Sequence, residues 1–309
     1  TGLVTPIKTA YWNHTPLLLV TPQAANKTMG QGGFQEVEQM NLFKDMVCYQ
    51  EEVRDPSRMA EVLNRVIEKA IRGSAPAQIN VPRDYWTQVI DIELPPIVRF
   101  ERQGGGKDAI QRAAKMLSDA KFPVILSGAG VVIGDAINEC KALAEKLDAP
   151  VCNGYQHNDS FPGSHPLAVG PLGYNGSKAA MQLISKADVV LALGTRLNPF
   201  STLPGYGIDY WPKNANIIQV DMNPDRIGLT KKVTVGIAGD AKQVAKQIFD
   251  KLSSNAGDSG REDRKNLIHQ TKSAWLQTLT SLDHEDDDPG TVWNKEARER
   301  DKDRMSPRQ

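Results

Sequence analysis

Short apolar runs that alternate with helical segments constrain the fold of this 309-residue chain more than any other feature. Between residues 107 and 252, the runs end in turn residues, and helical segments at residues 107–120, in "DAINECKALAEKLDAP" and in "AKQVAKQIFDKL" lie among them. Uninterrupted apolar runs are typical of strands buried on both faces of a parallel sheet. The runs are "FPVILSGAGVV", "VCN", "ADVVLALGTRL", "ANIIQVDMNP" and "KVTVGIAGD". The pattern predicts an α/β fold with doubly wound parallel sheets, in which residues 104–252 form a complete Rossmann-like domain of five or six strands.

The preceding residues, 1–92, predict part of a second α/β unit. "TPLLLVTP" at residues 15–22 predicts a strand that is buried on both faces, and Gln78–Val81 predicts another. Between them, Asp55 as N-cap, Pro56 as the first helical residue and Gly73 as the terminator predict an amphipathic helix. Strand, helix and strand in that order indicate a parallel unit.

Two segments predict linkers. Residues 91–106 contain Pro95, Pro96 and three successive glycines, which is typical of a connection between domains. Residues 253–309 are polar and carry charges of both signs, so we expect a solvated linker with a helix around Ala274–Leu282. Because the chain opens within a helical pattern and closes on a helix-start signal, we expect an internal fragment of a longer protein.

The composition excludes several classes of partner. Lys plus Arg equals Asp plus Glu, 37 each, so we expect neither a nucleic acid nor a membrane surface as partner. No apolar run approaches the roughly 20 residues of a membrane span, and no signal peptide is evident, which favours a cytoplasmic location. Cys48, Cys140 and Cys152 predict reduced, buried thiols. The five histidines are scattered, so we expect no metal site within this sequence.

Two glycine motifs admit more than one interpretation. "SGAGVVIG", Ser127–Gly134, follows a strand, where backbone N–H groups could bind the phosphates of a dinucleotide. The alternative is a tight turn that packs a helix on the sheet. "AGDA", Ala238–Ala241, approximates a Gly-Asp-Gly magnesium motif, but Asp240 is better explained as a helix N-cap.

Two loops carry the candidate functional side chains. In "LGTRLNPFST", Arg196 lies beyond the carboxyl end of a strand, and it could bind a substrate anion or an acidic side chain of its own domain. In "GQGGFQEVEQM", Gly30–Met40, the structural interpretation is a surface turn, and the functional interpretation is a loop that presents Phe34 and Gln35 to a ligand.

An ordered series of motifs carries a family resemblance. The series is "AYWNHTPLLLVTPQ", "GGFQEVEQM", "APAQINVPRDYW", "PVILSGAGVV", "FPGSHPLAVGPLGYNG", "ADVVLALGTRL", "IIQVDMNPDRIG" and "GDAKQV". It resembles the thiamine-diphosphate-dependent 2-oxoacid enzyme superfamily, which includes acetolactate synthase and pyruvate oxidase. Within that superfamily, "KTAYWNHTPLLLVTPQAANKTMGQGGFQEVEQM" and "LFKDMVCYQEEVRDPSRMAEVLNRVIEKA" are most similar to the sulfoacetaldehyde acetyltransferase family.

The resemblance implies a domain order and a set of cofactors. Residues 1–92 would be the C-terminal part of a pyrimidine-binding domain, residues 104–252 the central domain, and residues 253–309 a linker and the start of a diphosphate-binding domain. Thiamine diphosphate and Mg²⁺ are the implied cofactors, and the activating glutamate and the Gly-Asp-Gly motif of the family would lie outside this sequence. "GPLGYNG" departs from the flavin-contacting sequence of relatives that bind FAD, so FAD is not expected.

The resemblance also implies roles for individual residues. In such enzymes the Phe-Gln pair lines the active site of the neighbouring subunit, so Phe34 would supply an apolar wall and Gln35 a hydrogen bond to the substrate. Arg196 stays a candidate for a substrate anion. Acetolactate synthases have a second arginine four residues further on, for the carboxylate of an acceptor, whereas this chain has Phe200.

The implied activity is the conversion of sulfoacetaldehyde and phosphate to acetyl phosphate and sulfite by a homodimer or homotetramer. One alternative is a carboligase similar to acetolactate synthase. A second alternative, for the chain by itself, is a structural or dimerising module.

Overall fold

The computed structural model describes residues 2–34, 36–96 and 101–282. The chain divides into two compact units, Thr1–Phe100 and Glu101–Gln309. The predicted linker at residues 91–106 has neither helix nor strand in the part that the structure describes. Residues 283–309 of the predicted C-terminal segment lie outside the described residues.

The smaller unit contains a three-stranded parallel sheet with helices. Its elements, in chain order, are α1 (Val4–Trp12), β1 (Leu17–Gln23), α2 (Gln39–Phe43), β2 (Tyr49–Glu52), α3 (Met59–Gly73) and β3 (Pro76–Pro82). The strand order is β1-β3-β2, with every pair parallel. The predicted strand at Gln78–Val81 is therefore confirmed within the longer β3, all of whose residues are buried.

The prediction that the first strand is buried on both faces is wrong. β1 alternates exposed and buried residues, and Leu18 and Val20 are 37% and 42% exposed. Among the described residues β1 lies at the edge of the sheet, where one of its faces is left uncovered. A continuous apolar run cannot distinguish a central strand from an edge strand, because its apolar residues are the same in both.

The predicted amphipathic helix is confirmed, but its ends differ from the prediction. The Asp55 carboxylate accepts a hydrogen bond from the Ser57 N–H at 2.9 Å and caps a 3₁₀ turn, and α3 begins only at Met59. At the other end, Ser74 and not Gly73 adopts the left-handed conformation, with φ of 45°. Gly73 lies against Cys48, whose Sγ would be 3.0 Å from an added Cβ, so packing explains that glycine.

The larger unit contains the complete parallel sheet that the sequence predicts. Its elements are α4 (Lys107–Asp119), β4 (Pro123–Ser127), α5 (Ala129–Ile133), α6 (Ile137–Leu147), β5 (Val151–Asn153), β6 (Ala168–Pro171), α7 (Lys178–Ile184), β7 (Val189–Leu193), β8 (Asn216–Asp221), β9 (Val235–Ala238), α8 (Ala241–Lys251) and α9 (Arg261–Leu282). The strand order is β6-β5-β4-β7-β8-β9, all parallel. This is the strand order of a classical dinucleotide-binding fold, in which the chain adds strands in one direction from β4 and then in the opposite direction from β7.

Burial along the central strands shows that the sheet is covered on both faces. Every residue of β4 and β7 is buried, which requires helices on either side. The N-cap prediction for Asp240 is also confirmed, since its carboxylate accepts a hydrogen bond from the Gln243 N–H at 3.2 Å where α8 begins. The doubly wound α/β prediction therefore holds for this unit.

The last described helix corrects the prediction of a solvated linker after residue 253. α9 begins at Arg261, far before the predicted start at Ala274. Arg264 is only 1% exposed, and its guanidinium donates to backbone carbonyls just before α9 and elsewhere in the unit. The acceptors are Asp148 O, Lys121 O, Ser259 O, Leu147 O and Gly257 O, at 2.5–3.0 Å. Backbone carbonyls take the place of water around the Arg264 guanidinium, so this polar segment can pack against the unit.

Candidate active site

The loop between β1 and α2 holds the first pair of predicted site residues. Gly30 and Gly32 have φ of 82° and 72°, which a residue with a Cβ adopts only with strain. Phe34 follows, and its side chain is 93% exposed. Gln35 lies outside the described residues. The structure thus places the Phe34 ring in solvent on a glycine-rich loop of the smaller unit.

A chain of buried and partly buried polar side chains crosses the sheet beside this loop. The polar ladder consists of Thr21, Gln50, Glu52, Gln78 and Asn80, from all three strands. Gln50 donates to Gln78 Oε1 at 2.9 Å, Gln78 donates to Thr21 Oγ1 at 2.9 Å, and Thr21 donates to Asn80 Oδ1 at 2.9 Å. The Asn80 amide donates to Glu52 Oε2 at 2.6 Å. Buried polar groups satisfied in this way fix one arrangement of side chains.

The polar ladder also fastens the far end of the loop. The Gln50 amide donates to Met40 O at 2.8 Å, and Gln39 donates to Pro22 O, so that the start of α2 is attached to β1 and β2. Sequence reasoning did not identify these residues as a group. The available signal was the presence of two amide side chains, Gln78 and Asn80, in alternation with apolar residues within a strand that is buried throughout.

At the carboxyl edge of the larger sheet, the glycine motif forms a tight turn. The Gly130 N–H donates to Gly194 O at 2.8 Å, and the Gly128 N–H donates to Leu193 O at 3.1 Å. An added Cβ on Gly130 would lie 2.7 Å from Gly194 Cα. The backbones after β4 and β7 are therefore in direct contact where a dinucleotide fold places its pyrophosphate. Of the two interpretations of "SGAGVVIG", the structure supports the tight turn.

Arg196 lies in the loop after β7, beside groups of both signs that belong to its own unit. Arg226 Nη1 and Asp221 Oδ1 are 3.7 Å apart. Burial, followed by the neighbouring Arg226 charge, lowers the pKa of Arg196, while Asp221 opposes this change. Burial also raises the pKa of Asp221. The charges of two arginines thus act on one buried carboxylate, and this arrangement can attract an anion or simply neutralise Asp221.

The loop that follows Arg196 carries an aromatic cluster. The Phe200 ring centroid lies 5.0 Å from that of Tyr155 and 5.2 Å from that of Tyr174. Phe200 and Tyr174 remain 44% and 51% exposed. The position four residues beyond Arg196 is therefore occupied by an aromatic ring within a cluster of rings, and it offers no charge to a carboxylate.

Further findings concern metals, membranes and thiols. Within residues 2–34, 36–96 and 101–282, no group of three His, Cys, Asp or Glu side chains is arranged to hold a metal ion. No helix in the same residues is both long and apolar enough to cross a bilayer. Cys140 and Cys152 are buried as predicted, whereas Cys48 is exposed, in contrast to the prediction.

Comparison with known proteins identifies the central part of the chain. The family model described as the central domain of thiamine pyrophosphate enzymes matches residues 110–248. The benzoylformate decarboxylase of Polynucleobacter necessarius superposes with a TM-score of 0.70 at 23% sequence identity, over 82% of this chain and 48% of that one. At that identity the superposition shows a shared fold.

Similarity to curated proteins extends over the whole sequence. A probable sulfoacetaldehyde acetyltransferase of Rhizobium meliloti is 79% identical over 100% of this chain and 52% of its own length. The sulfoacetaldehyde acetyltransferase of Roseovarius nubinhibens is 76% identical over 100% of this chain and 51% of its own length. A probable acetolactate synthase large subunit of Methanocaldococcus jannaschii is 35% identical over 91% of this chain and 46% of its own length. The chain spans about half the length of the curated relatives it matches, and its residues 110–248 match the central domain of thiamine pyrophosphate enzymes.

Proposed function

We propose that the protein that carries this chain is an acetyltransferase dependent on thiamine diphosphate and Mg²⁺, which converts sulfoacetaldehyde and phosphate into acetyl phosphate and sulfite. The observation that carries this proposal is identity of 79% and 76% along the entire chain with proteins named for that activity. The relative named as an acetolactate synthase is far more distant, at 35%. The proposed protein works in the cytoplasm as a homodimer or homotetramer.

The described residues do not fit the diphosphate and metal of the cofactor. Asp240, in the sequence "AGDA" that approximates Gly-Asp-Gly, is 2% exposed. Its carboxylate caps α8 and accepts a hydrogen bond from Arg102 at 2.9 Å, so both of its functions are structural. No other cluster suited to a metal occurs in the described part of the chain. We therefore assign the binding of the diphosphate and the metal to none of the described residues.

The contribution that we propose for this chain is the Phe34 loop. An aromatic ring that is 93% exposed presents an apolar surface which a neighbouring subunit could cover. Covering a phenylalanine side chain contributes about 1.5–3 kcal/mol. In this proposal Phe34 excludes water from the reacting groups of the partner and Gln35 donates a hydrogen bond to the substrate.

The larger unit supports phosphate as the acetyl acceptor. Phe200 offers an aromatic surface where acetolactate synthases offer an arginine to a carboxylate, so a 2-oxoacid acceptor would lack its counter-charge. Arg196, next to Arg226, is the anion-binding candidate of this unit. We propose that Arg196 attracts one of the anionic substrates.

A substrate assay of the whole protein tests the proposed function. We expect sulfite release from sulfoacetaldehyde only when phosphate is present, with acetyl phosphate formed in equal amount. Acetolactate formed from pyruvate, without sulfite release, would instead favour the carboligase similar to acetolactate synthase. Sulfite release at the same rate without phosphate would contradict phosphate as the acceptor.

Titration calorimetry of the 309-residue chain tests what this part does by itself. Because Asp240 is engaged within its own unit, we expect no measurable heat with thiamine diphosphate and Mg²⁺. The chain by itself would then be a structural and dimerising module. Binding with a Kd near 1 μM, about −8 kcal/mol, would show that the cofactor site has been misassigned.

A further inference from the structure

The carboxylate of Glu36 binds the glycine-rich loop from within. Its Oε1 accepts a hydrogen bond from the Gly30 N–H at 2.5 Å, and its Oε2 accepts one from the Gly33 N–H at 3.1 Å. The Glu36 N–H in turn donates to Gly33 O at 3.1 Å. One side chain therefore closes a ring from residue 30 to residue 36. Hydrogen bonds from backbone N–H groups to a carboxylate are short and strong because the acceptor is charged.

The closed ring lies in a part of the chain without regular secondary structure, and the other hydrogen bonds of the loop, such as Gln31 N–H to Thr28 O at 3.2 Å and Asn26 N–H to Asp84 Oδ1 at 3.2 Å, hold the residues before Gly32. No helix or strand covers residues 24–34 and 36–38, and Gly30 and Gly32 lie in the left-handed region, where glycine is otherwise conformationally free. The base of the loop is fastened separately, through Gln39 to Pro22 and Gln50 to Met40. Inside the loop, the two bonds to Glu36 oppose that freedom.

Phe34 lies within the closed ring, between the second N–H donor and the acceptor. Its side chain is 93% exposed, so packing against its own unit cannot determine the position of the phenyl group. The backbone that carries it must therefore be positioned by hydrogen bonds. Glu36 makes the two that bracket the segment before Phe34.

We propose that Glu36 is the positioning residue of the Phe34 loop: its carboxylate fixes the backbone that presents Phe34, and it does not itself contact the substrate. The kinetic part of this inference rests on the proposed function, in which Phe34 faces the substrate. The structural part does not, because the bonds to Gly30 and Gly33 belong to this chain alone. Pre-organised loops reduce the entropy that is lost when a ligand binds.

Glu36→Gln is the sharpest variant, because it keeps the length of the side chain. A carboxamide has one acceptor oxygen and an NH₂ group, which would face one of the two N–H donors, so it cannot accept both bonds. Glu38→Gln is the matched control, two residues along in the same loop and exposed to solvent. Neither change alters the polar ladder or the anchors at Gln39 and Gln50.

Hydrogen exchange of glycine-labelled protein measures the structural part. In Glu36→Gln, we expect the Gly30 and Gly33 amides to exchange about tenfold faster, the factor that corresponds to 1.4 kcal/mol. The Gly32 amide, which Glu36 does not bind, serves as the internal reference, and Glu38→Gln should change none of the three. Unchanged exchange at Gly30 and Gly33 would overturn the proposal.

Steady-state kinetics of the whole protein measures the positioning role. With the thermal midpoint unchanged, Glu36→Gln should lower kcat about tenfold and Glu38→Gln should leave it at the wild-type value. Faster exchange with wild-type kinetics would overturn the positioning role while leaving the closed ring in place. If the wild-type protein released no sulfite, the proposed function would fail, whereas the exchange experiment would still decide the role of Glu36 in the loop.

Discussion

The two units treat the carboxyl ends of their parallel strands in opposite ways. In the larger unit the turns after β4 and β7 touch backbone to backbone through Gly130 and Gly194, and no space is left between them. In the smaller unit a long loop leaves β1 and extends an aromatic ring into solvent. The same edge serves in one unit as a packing surface and in the other as a presenting surface. A fold with a dinucleotide-type strand order therefore does not by itself imply a nucleotide site.

The largest effect is expected in the larger unit, from the loss of Arg264. Arg264→Met would leave buried backbone carbonyls without their donor, and we expect the free energy of unfolding to fall by about 4 kcal/mol. At roughly 2–4 °C per kcal/mol, the melting temperature should fall by about 8–16 °C. Arg112→Met, at an exposed arginine with one bond to Thr234 O, is the control and should change stability by less than about 0.5 kcal/mol. Equal melting temperatures for the two variants would show that α9 is not fastened through Arg264.

Arg264 also shows what the sequence could not reveal. The segment before Lys265 is as polar as a solvated linker, and polarity is what a composition argument detects. A guanidinium surrounded by carbonyls leaves no apolar pattern, so the early start of α9 at Arg261 could not be predicted. The strands β4, β5, β7, β8 and β9, by contrast, depend on apolar burial, and the sequence predicts them correctly. It misses β6 and α7, and β7, β8 and β9 follow one another without the α-helices that the predicted alternation places between them.

A second test concerns the contact between the two turns of the larger unit. The Cβ of Gly130→Ala would meet Gly194 Cα at 2.7 Å, so the backbones after β4 and β7 must separate. We expect a loss of about 3 kcal/mol in the free energy of unfolding, measured by denaturant titration. Gly163→Ala, where no atom lies within 4 Å of the added Cβ, should be neutral within about 0.5 kcal/mol. An unchanged free energy of unfolding in Gly130→Ala would show that the backbones after β4 and β7 are not in close contact.

The smaller unit should respond to a change inside the polar ladder. Gln78→Leu removes the acceptor of Gln50 and the donor to Thr21 at a buried position, which should lower stability by about 2 kcal/mol. Gln88→Leu is the control, since Gln88 is exposed and donates only to Asp84 O. Stability of Gln78→Leu at or above the wild-type value would show that an apolar sheet serves equally well.

The polar ladder and the edge position of β1 were missed for related physical reasons. Gln78 and Asn80 are buried because Thr21, Gln50 and Glu52 satisfy them from neighbouring strands, and a single strand does not reveal its neighbours. Likewise, Leu18 and Val20 look like core residues until the strand order is known. Phe34 and Arg196 are candidates that the sequence itself suggests, whereas the bonds of the Glu36 carboxylate to Gly30 and Gly33 are visible only in the structure.

The smallest effect is a dependence of stability on pH in the Arg196 loop. Burial raises the pKa of Asp221, so the folded state binds its proton more readily than the unfolded state does. Its contribution to stability is therefore largest below its ordinary pKa of about 3.9 and decreases as the pH rises through the folded-state pKa. The stability of Asp221→Asn relative to wild type should increase between about pH 4 and pH 7. A relative stability that decreases over this range would show that the two arginines outweigh burial.

The exposure of Phe34 is the feature on which the comparison and the proposed function both depend. The most direct test is the rate of phosphate-dependent sulfite release by Phe34→Ala in the whole protein, measured beside its melting temperature. Because the side chain makes few contacts within its own unit, we expect an unchanged melting temperature and a fall in kcat/KM of about tenfold or more, near 1.4 kcal/mol. Wild-type kcat/KM in this variant would contradict the assignment of the loop to the active site.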